Sequence, residues 1–215
     1  MARIANDRRY ALHRTGDLSG LPWASPRQFP QLLSWNAIVS STGDLTVTLP
    51  DTTWWRIDPR DPTTRREFSA HASSELNEAV TLINLWAGTY DAMPISVISS
   101  DTISACTQLF GSTTPVLDWQ RFRPNVVIAT DGARPWPERK WLGRELRLGD
   151  SSGAVTLRVD RHTTRCEVVN FDPVTAQRTD DLFSAIREAN KNRAGVYASP
   201  ERVGLVELGA DVFVR

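Results

Sequence analysis

The stretch "DWQRFRPNVVIAT", residues 118–130, sets two arginines two places apart, then a proline and an asparagine, then an apolar run. The run "NVVIA" is short, branched and apolar, which predicts a buried strand. On an extended segment Arg121 and Arg123 point to the same face, and Pro124 biases Arg123 toward that geometry. Asn125 adds a donor and an acceptor at the strand mouth. Guanidinium matches planar oxyanions with two parallel bonds, so this cluster suits a phosphate or a carboxylate. The competing account pairs both arginines with nearby acids such as Asp118 and Asp131.

Outward from this stretch the chain alternates short strands with few helices. "PISVIS" predicts a second buried strand, followed by a helix capped by Ser100 or Asp101, running to about Leu109 and ended by Gly111. "DGARPWPERKW" predicts a loop, and "RELRLG", "GAVTLRVDR" and "CEVVNF" predict strands. A last helix from about Asp180 to Asn190 has Leu182, Ala185, Ile186 and Ala189 on one face, with Thr179 as its cap. "AGVYA", "GLVEL" and "DVFV" finish as strands. Upstream, "YALH", "LLSWNAIVS" and the alternating Leu45, Val47 and Leu49 predict strands. The prolines of "DPRDPTTRREF" predict a loop. The stripe Leu76, Ala79, Val80, Ile83 and Trp86 predicts a helix from about Ser74 to Trp86. The expected class is mainly β with helices, α+β, built on a β-barrel-like core.

At 215 residues the chain is long enough to bury a substantial core. Lys plus Arg equals Asp plus Glu at 25 each, which gives no basic footprint for nucleic acid. No apolar run approaches the roughly 18 residues of a membrane span, so no membrane association is expected. The charged start "MARIANDRRYALHR" lacks an apolar signal core and predicts a cytoplasmic protein.

The second chemical cluster is "VDRHTTRCEVVNFDP", residues 159–173. Cys166 has Arg161, His162 and Arg165 close by in sequence, and nearby cations favour the thiolate, which attacks or binds soft metal. The other outcome is a buried, inert cysteine, and Cys106 fits that description among its small and apolar neighbours. Standard phosphate-loop, dinucleotide, nucleophile-elbow and zinc-protease motifs are absent. His13, His71 and His162 have no metal-ligand spacing.

Four blocks, "RFRPNVVI", "PWPERKWLGRELRLG", "TTRCEVVNFDPVT" and "AGVYASPERVGLVELGADVFV", occur in the order of a MOSC domain. This family is named for the C-terminal part of molybdenum cofactor sulfurase and is also found in the amidoxime-reducing component. The resemblance spans about residues 92–215. Upstream, residues 6–50, from "NDRRYALHR" to "LTVTLP", resemble the later half of the β-barrel segment that often precedes such a domain. The expected organisation is therefore a truncated N-terminal β segment plus helix over 1–90 and a MOSC-like domain over 91–215.

The resemblance implies a barrel that binds the molybdopterin-type molybdenum cofactor or handles sulfur for it. Cys166 matches the cysteine that ligates molybdenum or carries sulfur. Arg123 and Asn125 match positions that hold the pterin or its phosphate, and Arg8 matches a basic residue of the upstream segment. Ser99, Ser100 and Arg165 lie in matching blocks. The implied activity is a molybdenum-dependent oxidoreductase reducing N-oxygenated substrates, with electrons from a separate flavin or iron–sulfur protein. A non-catalytic cofactor or sulfur carrier, or a remodelled relative that binds another anionic metabolite or a protein partner, is the alternative. In relatives the upstream segment begins earlier, with a strand bearing a Lys-Ser pair. Its absence from this sequence means either a misassigned start codon or a lost part of the pocket; the second case predicts weakened cofactor affinity and an open barrel edge, covered by a homodimer or a partner.

Overall fold

A computed structural model describes residues 4–85, 88, 90, 92–110, 119–132, 134–179 and 181–215. Eleven strands and three α-helices among these residues make an α+β fold. The chain falls into two units, Ala5–Tyr90 with Asp172–Gln177, and Asp91–Phe171 with Arg178–Arg215 and Met1–Ile4.

The first unit holds a ribbon of β1 (Tyr10–Arg14) against β5 (Val80–Asn84). It also holds an antiparallel meander of β2 (Asn36–Val39), β3 (Leu45–Thr48) and β4 (Trp54–Ile57). Helix α1 (Pro62–Leu76) lies between them in sequence. Leu45, Val47 and Leu49 alternate into the core as their period requires, where they meet Ile57, Phe68, Ala72, Leu76, Val80 and Leu82.

Two sequence expectations fail in this unit. The segment expected as a loop starts α1, because Pro62 occupies the first turn, where its missing N–H is not needed. Asp61 caps it by accepting from the Thr63 N–H at 2.8 Å. The helix expected over about Ser74–Trp86 is not there. Asn77 is left-handed, with φ 49°, and closes α1. Val80 and Leu82 then alternate inward with exposed Thr81 between them, a strand pattern; Trp86 lies outside the described residues.

Both edges of the β1–β5 ribbon are met by the chain itself. On β5, the N–H of Leu82 donates to Ser69 Oγ and that of Val80 to Ser73 Oγ, each at 3.0 Å, from α1. On β1, the Leu12 carbonyl accepts from the Ala24 N–H and the Arg14 N–H donates to the Pro22 carbonyl, each at 2.8 Å. These outward-facing groups of a two-stranded ribbon are thereby satisfied.

The second unit is one six-stranded sheet, curled into a half-barrel. Its strands are β6 (Ile95–Ser99), β7 (Val126–Ile128), β8 (Glu145–Leu148), β9 (Val155–Thr164), β10 (Arg193–Arg202) and β11 (Val212–Val214). The order is β11-β8-β9-β10-β6-β7, with only β6 and β7 parallel. One apolar cluster joins Ile95, Val97, Leu146, Leu157, Val159 and Val196. At full burial each such side chain contributes roughly 1.5–3 kcal/mol. A second cluster joins Ile98, Cys106, Phe122, Val169, Ile186 and Ala194, under helices α2 (Ser100–Phe110) and α3 (Leu182–Asn190). Val97 and Ile98 fall in different clusters because neighbouring side chains on a strand point to opposite faces.

Here too some elements differ from expectation. "CEVVNF" forms a 3-10 turn over Glu167–Asn170, not a strand. Residues 203–211 are not a strand, and Leu205 and Leu208 are fully exposed. Ser99 caps α2 and Asp181 caps α3, each one position or more from the residue expected. Gly111 and Asp180 lie outside the described residues.

Candidate functional site

The site is built from the ends of β6, β7 and β9. Asn125 opens β7, where its Oδ1 accepts from the Ser96 N–H at 2.9 Å and from the Ser96 hydroxyl at 3.1 Å. Its own N–H donates to the Ser96 carbonyl at 2.9 Å. The side chain thus imitates backbone and fixes the start of the parallel pair.

The arginines before it do not share a face as expected. Trp119–Phe122 is a 3-10 turn, and Arg123 is left-handed with φ 48°. The proline bias toward extended geometry is overridden there, because the chain must leave the turn and enter β7. Arg121 is buried, with Nη1 donating to the Val169 carbonyl and to Thr179 Oγ1, each at 3.1 Å. Its guanidinium lies 5.6 Å from the Phe110 ring centre. Arg123 is exposed. Asp118 lies outside the described residues.

Cys166 follows β9 and enters the 3-10 turn in extended conformation, as a free, half-buried thiol. Arg165 points inward beside it. Its Nε donates to the Ala194 carbonyl at 2.8 Å, and Nη2 reaches that same carbonyl. Nη1 donates to the Phe122 carbonyl at 2.6 Å, and the guanidinium lies 5.4 Å from the Phe122 ring centre. Room for it is left by Gly195, which has φ +85°. A Cβ there would stand 2.5 Å from the Val97 carbonyl oxygen and 3.2 Å from Arg165 Nη2.

Burial holds the Arg165 guanidinium below its ordinary pKa, against the opposing pull of Tyr197, Cys106, Cys166 and Glu138. The residue as a whole is half-buried, so its desolvation belongs to the inward-pointing head group and not to the stem. Arg165 thus has an electrostatic link to Cys166. The other thiol, Cys106, is fully buried and pushed up to about 12 by desolvation, the inert state expected of it. His162 is held below its usual value by burial and then by Arg193 and Arg139.

Glu138 escaped notice in the sequence. It is buried in a 3-10 turn over Pro137–Lys140, between buried Trp136 and Trp141. Its Oε1 accepts from the Ser99 N–H at 2.7 Å and its Oε2 from the Thr102 hydroxyl at 2.5 Å. The carboxylate thus joins β6 to the start of α2, where the helix dipole favours negative charge. A lone acid framed by "PWP" and "KW" was the only available signal.

Ser99 is fully buried, with Oγ accepting from the Thr102 N–H at 3.1 Å. Ser100 Oγ stands 3.1 Å from Thr130 Oγ1 and accepts from the Thr130 N–H at 2.9 Å. Both hydroxyls are engaged in placing α2. Arg8 belongs to the first unit, where it pairs with Asp7 at 3.1 Å and lies 5.5 Å from the Tyr90 ring centre.

The family model for the MOSC domain matches residues 85–213. The chain belongs to the MOSC domain family. MOSC domains are known for binding the molybdenum cofactor. No curated protein matches the chain.

The residues present fit such a cofactor. Among the described residues no group of three or more His, Cys, Asp or Glu could hold a metal ion unaided. A pterin dithiolene brings two sulfurs of its own, so a single soft protein ligand suffices, and Cys166 is a half-buried thiol with a cation beside it. Two buried polar atoms near this corner, Thr163 Oγ1 and Asn192 Oδ1, have no hydrogen-bond partner among the described residues. No helix is long and apolar enough to cross a membrane among the described residues.

Proposed function

We propose that this MOSC protein is a molybdenum-cofactor-dependent oxidoreductase that reduces N-oxygenated substrates such as N-hydroxylated amines or amidines. The observation that carries the reading is the Arg165 bridge. Its guanidinium binds the carbonyl of Phe122, next to Arg123, while its backbone leads directly into Cys166.

In this reading Cys166 is the protein ligand to molybdenum, and exposed Arg123 grips the cofactor's phosphate, since guanidinium suits that group. Asn125 fixes the backbone from which Arg123 projects. Arg165, Ser99 and Ser100 position the strand ends. The bound cofactor supplies metal-centred oxygen-atom transfer, and the protein supplies orientation and charge. Electrons come from a separate flavin or iron–sulfur protein.

The test is metal analysis of protein made in a host that synthesises the cofactor. Near-stoichiometric molybdenum, lost in Cys166→Ala and reduced in Arg123→Gln, together with reduction of an N-hydroxylated amidine by an artificial donor, is the expected result. Sulfane sulfur on Cys166 without metal would replace the enzyme by a sulfur carrier. Neither metal nor sulfane sulfur, in a folded protein, would overturn both.

A further inference from the structure

A cleft of about 370 Å³ lies wholly within the first unit, lined by Arg9, Tyr10, Gly43, Arg60, Arg65 and Asn84 among others. That volume is within the range of small-ligand pockets. Three arginines line it, Arg9 also donating to Asn84 Oδ1 at 3.4 Å and to Asn6 Oδ1 at 3.0 Å, and no Asp or Glu among the described residues does.

The acids nearest in sequence have partners of their own, although Asp44 also lies within electrostatic reach of Arg60. Asp44 pairs with Arg56 at 2.9 Å, Asp58 accepts from the Arg60 N–H at 2.9 Å, and Asp61 caps α1. The walls are fixed by polar ties, because Tyr10 donates its hydroxyl to the Gly43 carbonyl at 3.1 Å and Arg60 Nη2 donates to the Thr42 carbonyl at 2.8 Å.

Arg65 stands apart from its neighbours. Its Nε is buried and has no hydrogen-bond partner, and its guanidinium makes no ion pair among the described residues. A buried, unmatched donor costs free energy unless something fills it. A second depression, lined by Pro62, Arg65, Arg66, Leu82 and Ile83, shares Arg65 and Ile83 with the first and offers apolar surface beside the charges.

We propose that this cleft binds a small phosphate-bearing ligand, whose dianionic head is held by Arg9, Arg60 and Arg65. The chemistry is that of a dianion met by several planar donors. Tyr10, Pro59 and Ile83 supply apolar surface for a short organic body. The site stands on residues of the first unit alone and does not depend on the cofactor reading.

Isothermal titration of the full chain with inorganic phosphate and with glycerol 3-phosphate, at constant ionic strength, tests it. Saturable binding of at least one is expected. Equal affinities assign the free anion, and tighter binding of the monoester assigns an organic phosphate. Arg65→Gln and Arg60→Gln each weaken binding about tenfold, equivalent to ~1.4 kcal/mol. Arg65→Lys recovers part of the loss, and Arg187→Gln, on α3, leaves affinity unchanged. Circular dichroism and thermal unfolding of the free variants establish that they fold. No binding of either compound, or binding that a folded Arg65→Gln leaves intact, overturns the proposal.

Discussion

Arg165 donates to the carbonyl of Phe122 at 2.6 Å, across 43 positions of chain. This bond ties the end of β9 to the turn before β7, and the same guanidinium holds the Ala194 carbonyl on β10. Three segments that meet nowhere in sequence are thus fixed by one head group. Lysine has neither the reach in several directions nor the planar fork. Arg165→Lys should therefore lose about 2–4 kcal/mol of stability, as expected when hydrogen bonds from a buried charged group are removed and carbonyls left unmatched. Urea unfolding measures it, and a loss below ~1 kcal/mol would show the bridge to be dispensable.

Glu138 accepts from two donors at the beginning of α2. Glu138→Ala leaves the Ser99 N–H and the Thr102 hydroxyl without that acceptor, at a cost of about 2–4 kcal/mol. Glu138→Gln keeps one carbonyl oxygen in place and should cost less than the alanine variant. Denaturant midpoints of the two variants decide the order; equal losses would mean that packing, not acceptance, is what the residue provides.

The two thiols should behave differently. Cys166 is half-buried and Cys106 fully buried. A thiol reagent applied to native protein should label Cys166 alone, with Cys106 reacting only on unfolding. Rapid labelling of both in native protein would contradict the core packing around α2.

Cys106 also predicts a pH dependence. Its folded value is about 12 against an ordinary 9.0, raised by burial. Below pH 9 both states hold the proton and nothing is lost. Between about pH 9 and 12 the unfolded chain releases it and the native one does not, so stability falls by up to ~1.4 kcal/mol per pH unit. Cys106→Ala should flatten that alkaline slope relative to the parent, by chemical unfolding across the range; an unchanged slope would place its origin in another group.

Ser69 and Ser73 close the outer edge of β5 from α1. Ser69→Ala leaves the buried Leu82 N–H without its acceptor and should cost about 1–3 kcal/mol. Hydrogen exchange at Leu82 reports it directly: the amide should lose protection selectively, and unchanged protection would mean that another acceptor serves it.

Much of the second unit was legible. Strands β8 and β9 and helix α2 follow from alternation and burial, and the Cys166 and Arg123 blocks stand out by residue type. The failures have physical causes. Helix α1 buries Phe68, Ser69, Ala72 and Leu76. A face with a serine and an alanine in it lacks the strong apolar stripe that pattern reading needs. Val80 and Ile83 fit a helical stripe and a strand equally well until Asn77 turns left-handed. Arg123 was misplaced because local preference before proline yielded to the turn that precedes it. Glu138 was missed because a buried carboxylate is recognised by its donors, and those lie 36 and 39 positions away in sequence.

Gly195 carries a consequence for anyone who reshapes this protein. Even a methyl group at that position would strike the neighbouring strand's carbonyl and crowd the guanidinium beside the sulfur. What orients the Arg165–Cys166 corner is partly a space kept clear on the strand behind it. A mutational library at this corner should hold 195 constant and vary exposed positions such as Arg123. Substitutions at 195 should disturb thiol reactivity and fold together, with no variant separating the two.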